Sequence, residues 1–143
     1  MMGTTLKSTV FALGILALTG AVTELEPATP CAKSERDNCV VGVASWYGPG
    51  FHGKRTANGE KFNKNALTAA HNSLPLDSKV RVVNIATGKE VTVRINDRGP
   101  GYGRSIDLSE AAARALGMQH KGLARVAIHK IDEDDDNDGD DKS

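Results

Sequence analysis

Between residues 40 and 131 apolar and polar side chains alternate in short runs, the period-two pattern of strands with one buried face. Residues 40–47 (VVGVASWY), 79–86 (KVRVVNIA), 89–96 (KEVTVRIN) and 123–131 (LARVAIHKI) are rich in β-branched residues and predict four strands. Residues 66–70 predict a fifth, and Ile106-Asp107-Leu108 a short sixth. Ala86-Thr87-Gly88-Lys89 joins the middle two strands; Gly88 is free to take positive φ, so residues 79–96 should form a hairpin. The helical pattern is confined to one place. Ser109 is a good N-cap, Glu110 suits the positive end of the helix dipole, residues 111–116 propagate the turn and Gly117 can close it. Many short strands with one short α-helix predict a mainly β domain closed as a barrel.

The ends of the chain follow different rules. Lys7, the nine apolar residues 10–18 and Thr19-Gly20-Ala21 have the order of an export leader, so residues 1–21 are expected to be a signal peptide. Nine residues fall far short of the roughly 20 that cross a bilayer, and no stable membrane anchor is expected. Ala21 stands where a lipid-carrying cysteine would be needed, so the expected product is periplasmic or secreted and not lipid-anchored. Residues 22–39 are polar, contain Pro27 and Pro30, and predict a linker; outside the cytosol, Cys31 and Cys39 within it are expected to form a disulfide. Residues 132–143 hold eight of the 18 acids and one basic residue, Lys142, and predict a disordered acidic tail. The formal net charge of zero therefore hides a body with 17 basic and 10 acidic residues, suited to an anionic polymer. Asp134, Asp136, Asp138 and Gly139 match the start of a calcium loop, without a twelfth-position acid. No nucleotide loop occurs and His52, His71, His120 and His129 lack metal-ligand spacing. The expectation is no cofactor, no metal, no nucleotide and no nucleic-acid partner.

The segments between the strands are more specific than the strands. Ala44-Ser45-Trp46-Tyr47-Gly48, Phe51-His52-Gly53, Arg55-Thr56-Ala57-Asn58-Gly59-Glu60, Leu67-Thr68-Ala69-Ala70-His71, Leu74-Pro75, Asn96-Asp97-Arg98-Gly99-Pro100 and Ile106-Asp107-Leu108-Ser109 follow in that order. This set resembles the rare lipoprotein A (RlpA) family of bacterial cell-envelope proteins, over residues 41 to 130. The resemblance implies a six-stranded double-psi β-barrel, the architecture of expansins, over residues 40–131. It implies lytic transglycosylase activity on peptidoglycan glycan strands as the function, with other cell-wall or divisome proteins as further partners. A non-catalytic, expansin-like glycan-binding module and an endoglucanase-like hydrolase are the alternatives.

The chemistry can be set out residue by residue. A lytic transglycosylase closes the muramic acid 6-hydroxyl onto C1, so one carboxyl can act first as acid and then as base; a hydrolase needs a second carboxyl to handle water. Asp97 ends a predicted strand and opens a glycine- and proline-rich loop, so its carboxyl should stand at a barrel rim, and the family motif carries an essential aspartate there. Sequence grammar alone favours Asp97 as a cap of the turn or a partner of Arg98, and it is the family motif that reverses this reading. Glu60 is expected to be a second carboxylate that holds a proton on Asp97 by like charge, and His71 completes the catalytic set through the family pattern. Asn63 departs from that pattern, in which many members carry aspartate. Tyr47, Phe51 and His52 near the first loop offer faces for sugar rings, while Trp46 and Phe62 fit equally well as barrel filling. Arg55, Thr56, Arg98 and Arg104, with Asn63, are candidate donors to substrate carboxylates and N-acetyl groups.

Overall fold

The computed structural model describes residues 30–32 and 36–132, so the expected leader, part of the lead-in and the acidic tail past Asp132 lie outside the described residues. The strands are β1 (Cys39–Trp46), β2 (Thr68–Ala70), β3 (Lys79–Asn84), β4 (Glu90–Asp97), β5 (Ile106–Leu108) and β6 (Ala124–Lys130), and the helix is α1 (Glu110–Ala115). They close into one barrel in the order β1-β5-β2-β4-β3-β6, with β6 paired back onto β1. The pairs β1–β5 and β2–β4 are parallel and the other four antiparallel. Among the described residues the expected six-stranded barrel with one short α-helix is thus what forms, with a single 3-10 turn at Pro49–Phe51.

Alternation explains the inside. Val80 and Val82 of β3, Val91, Val93 and Ile95 of β4, Ile106 and Leu108 of β5, and Val126 and Ile128 of β6 are buried and form one cluster. Each stabilises the fold by about 1.5–3 kcal/mol through lost contact with water. Ala112 and Ala113 of the helix, its C-cap Leu116, and Met118 after it join that cluster. Ser109 starts the helix as expected: its hydroxyl accepts from Ala112 N–H and donates to the Ala66 carbonyl. Gly88 sits at φ +74° in the β3–β4 turn. Cys31 and Cys39 are bonded, with Cα atoms 5.6 Å apart, which ties the lead-in to the first residue of β1.

One irregularity matters for function. Thr68 faces Arg94 and Ala69 faces Ile95, but Ala70 faces Asp97, so β4 carries one extra residue at Asn96. Such a bulge re-aims the residue that follows it; here Asp97, and not Asn96, lies beside Ala70. Ala70 in turn faces Asp107 on β5, and Asp107 faces Ser45 on β1. Directly paired residues share a sheet face, so Ser45, Asp107, Ala70 and Asp97 form a row across four strands.

Candidate active site

Asp97 is the last residue of β4 and half-buried. Its Oδ2 accepts the Tyr47 hydroxyl at 3.0 Å, and its Oδ1 accepts the backbone N–H groups of Ala57 at 3.0 Å and Arg98 at 2.9 Å. Three donors from three different loops converge on one carboxyl, which fixes its orientation at the end of the strand. The Arg98 guanidinium takes no part: its Nη1 donates to the His71 and Leu74 carbonyls at 3.0 and 2.7 Å. Arg98 Nη1 is therefore engaged as a brace of the 71–74 turn.

Tyr47 links this carboxyl to an aromatic wall. Its backbone N–H is held by the Leu108 carbonyl at 2.9 Å, and its ring lies against Phe62 and Phe51, with centroids 4.7 and 5.4 Å away. Burial, and then the charge of Asp97, hold the phenol protonated well above its ordinary range, with Asp107 adding to the effect; Tyr47 is a donor and not a base. Phe62 is buried and forms the inner part of the wall, while Phe51 is 47% exposed and open to a ligand, with the Lys54 ammonium 5.0 Å from its ring centroid. Trp46 packs partly buried against the core.

The expected partnership of Glu60 with Asp97 is not what forms. Arg94 of β4 donates to both Glu60 oxygens, at 2.7 and 2.9 Å, and to Asp77 Oδ1 at 3.0 Å. The guanidinium bonds, opposed by partial burial and helped by Asn96 and Asn58, lower the Glu60 carboxyl to about 2. A carboxylate so held does not store a proton near neutrality, and its charge is met by the Arg94 guanidinium. It anchors the 55–61 loop, where Thr56 and Arg55 are also engaged. The Thr56 hydroxyl is buried 2.6 Å from Asn58 Oδ1, and Arg55 Nη1 donates to the Gly59 carbonyl at 2.7 Å. Thr56 in particular is held within the loop by these bonds.

The remaining candidates divide. His71 is half-buried, and its Nδ1 accepts backbone N–H groups of Ser73 and Leu74, both at 3.1 Å; that pattern assigns the ring proton to Nε2. Burial, with the charges of Arg98 and Lys130, shifts His71 downward and keeps it neutral. His52 Nδ1 accepts Lys64 N–H at 3.3 Å. Asn63 Oδ1 accepts Asn65 N–H at 3.0 Å, a bond that an aspartate would make equally. Arg104 is exposed and its Nη1 lies 3.2 Å from the Ser45 hydroxyl. A cavity of about 400 Å³ is lined by His71, Leu74, Pro75, Val80, Ile128 and Lys130 among others, but by neither Asp97 nor Tyr47. Among the described residues no three His, Cys, Asp or Glu side chains converge as a metal site.

Sequence reasoning passed over Asp107 as a site residue. It is half-buried between the core residues Ile106 and Leu108, and its Oδ1 accepts the Ser45 hydroxyl at 3.0 Å. Burial pushes its carboxyl up and the charge of Asp97 adds to the shift, against the opposing Ser45 bond and Arg104 charge. The signal was present in the sequence: an acid set between two core residues of a three-residue strand must face the opposite side of the sheet from the core.

A family described as lytic transglycolase matches residues 39–128. The probable endolytic peptidoglycan transglycosylase RlpA of Synechocystis is 62% identical over 88 residues, 61% of this chain and 27% of that protein. The endolytic peptidoglycan transglycosylase RlpA of Pseudomonas aeruginosa is 57% identical over 94 residues, 65% of this chain and 28% of that protein. The chain thus spans little more than a quarter of the length of these relatives. Among solved structures, a point mutant of a Clavibacter michiganensis expansin in complex with cellohexaose aligns with TM-score 0.55 and 20% identity over 66% of this chain and 51% of that one. A Streptomyces papain inhibitor aligns with TM-score 0.54 and 20% identity over 66% and 94%. These two likenesses establish the shared fold.

Proposed function

The chain belongs to the lytic transglycolase family, and we propose that it cleaves peptidoglycan glycan strands between N-acetylmuramic acid and N-acetylglucosamine, leaving 1,6-anhydromuramic ends. The observation that carries this reading is the Asp97 carboxyl, presented at a barrel rim by Tyr47, Ala57 and Arg98 beside the Tyr47–Phe51–Phe62 wall. The wall suits the apolar face of a sugar ring, and the carboxyl suits proton transfer at the bond beside it. The names of the curated relatives support the same substrate.

The reaction requires one proton to reach the leaving O4 and another to leave the attacking O6, and no water. Asp97 is the carboxyl around which we place both movements. His71, neutral and with its proton on Nε2, can donate a hydrogen bond but holds no charge to contribute. The leader-like order of residues 1–21 supports an activity outside the cytoplasm, a setting in which a disulfide such as Cys31–Cys39 is stable.

Digestion of purified glycan strands, with and without peptide stems, followed by mass spectrometry, tests the reading. Anhydro ends are the expected product. Reducing ends carrying a new hydroxyl would show a hydrolase, and binding without any cleavage would show a glycan-binding module.

A further inference from the structure

We infer that Asp107 is the second carboxyl of this site and supplies the proton to the leaving oxygen, while Asp97 receives the proton of the attacking 6-hydroxyl. This rests on the transglycosylase reading and divides between two groups what one carboxyl would otherwise do in turn.

The geometry is the row across the sheet. Ala70 of β2 faces Asp97 of β4 on one side and Asp107 of β5 on the other. Two strand spacings set the acid backbones about 10 Å apart, with Ala70 as the residue between them in the row. The β4 bulge at Asn96 creates this arrangement, since unbroken register would set the Asn96 amide beside Ala70. Tyr47 crosses the row: its backbone is bonded to the β5 residue after Asp107 and its hydroxyl to Asp97.

The two acids meet different partners. Asp97 accepts from three donors, a setting for an acceptor. Asp107 accepts one hydroxyl, from Ser45, and is half-buried. The charged and titratable groups that bear on it are Asp97 from β4 and Arg104 from the approach to β5, and Tyr47 from the end of β1 shares its field. Burial together with a neighbouring negative charge favours the protonated form of Asp107, the state in which a general acid must wait. Glu60, the other acid in the motifs, is excluded from this task by Arg94.

The step balances without a co-reactant. The C1–O4 bond breaks and its electron pair stays on O4, which takes the Asp107 proton. The C1–O6 bond forms, and the O6 proton passes to Asp97. Proton exchange with solvent then restores the starting charge states.

The test uses two substrates. Glycan strands need a proton on the leaving oxygen; a 4-nitrophenyl glycoside of an N-acetylglucosaminyl-N-acetylmuramic acid disaccharide releases a phenolate that does not. Asp107→Asn is expected to lose about 10² to 10⁴ in rate on glycan strands yet stay within about tenfold of wild type on the aryl glycoside, whereas Asp97→Asn fails on both. Near-full glycan cleavage by Asp107→Asn would overturn the proposal, as would equal loss on both substrates with an unchanged melting curve. A second variant leaves the acid in place. Arg104→Gln removes a positive charge that favours ionised Asp107, so the fall in glycan cleavage at alkaline pH should move to higher pH; a fixed limb would overturn the assignment. Absence of anhydro ends from the wild type would instead defeat the underlying reading of the function.

Discussion

Two carboxyls, one in the loop that reaches Asp97 and one in the strand row that contains it, live in opposite surroundings. Glu60 lies in the 55–61 loop, held through both oxygens by Arg94 and lowered to about 2. Asp107 lies in a three-residue strand, half-buried, sharing the field of Asp97 and shifted upward. Residue type alone would rank the loop glutamate first, because a polar, glycine-rich segment reads as a site and a strand reads as scaffold. The difference shows that a carboxyl's chemistry follows from its surroundings in the fold: a guanidinium makes an anchor, whereas burial, with another carboxylate adding to it, favours the protonated form.

The sharpest break of this comparison is at Asp97 itself. Asp97→Asn keeps the size and most of the hydrogen-bonding reach but removes the group able to take a proton, and anhydro-end formation should fall by about 10² to 10⁴. Glycan affinity, measured by co-sedimentation with sacculi, should hardly change, because the aromatic wall is left intact. Parallel loss of affinity and rate would mean that Asp97 serves binding.

Tyr47→Phe probes the link between the two acids with a smaller effect. The ring keeps its contacts with Phe51 and Phe62 while Asp97 loses one of three donors. Turnover should drop about tenfold, on the order of the net strength of one charge-assisted hydrogen bond, with KM nearly constant. A rise in KM alone would assign Tyr47 to sugar stacking instead.

The barrel was legible because alternation is a local signal. Val80 and Val82, or Val91, Val93 and Ile95, declare their inward face within a few residues, and Ser109 announces the helix start by its own capping chemistry. The site was legible in part. Asp97 could be placed at a rim because its strand end and following loop are both written in adjacent residues. The Glu60–Arg94 pair joins residues 34 positions apart and exists only once β4 is laid against the loop. The bulge at Asn96 shows in the sequence only as one missed beat of polarity after Ile95, and the role of Asp107 depends on that bulge through the register of β2 with both neighbours. Long-range pairings of this kind follow from closure of the barrel, so local pattern could not supply them.

On the loop side, the Glu60 pairing should appear in stability and not in proton transfer. A carboxyl lowered from 4.5 to about 2 stabilises the fold above its unfolded value and loses that contribution as pH falls through the interval between the two. Both partners are partly solvent-exposed, so screening keeps the gain modest. Glu60→Gln should lower the melting midpoint by a few degrees near neutrality, and the gap to wild type should close as pH approaches about 2. Its alkaline limb for glycan cleavage should stay in place. A limb that moves to lower pH would restore Glu60 to the role of like-charge neighbour.

The smallest effect is expected at His71, whose state is set by backbone and not by either acid. Its Nδ1 faces the N–H groups of Ser73 and Leu74, so a second ring proton would point at two donors and break the turn's bonds. Burial and the charges of Arg98 and Lys130 oppose that proton further. The sign follows from linkage: with the folded value below 6.5, the unfolded chain binds the proton more readily. Stability from this group is complete above the unfolded value and declines as pH falls below it. Wild type should therefore lose a degree or two of melting midpoint on acidification from about pH 7 to about pH 5, and the loss should be smaller in His71→Ala, which has no imidazole to charge. A His71 resonance that titrates at or above the unfolded histidine value would show the turn yielding to the proton, and would reopen His71 as a charged partner of the site.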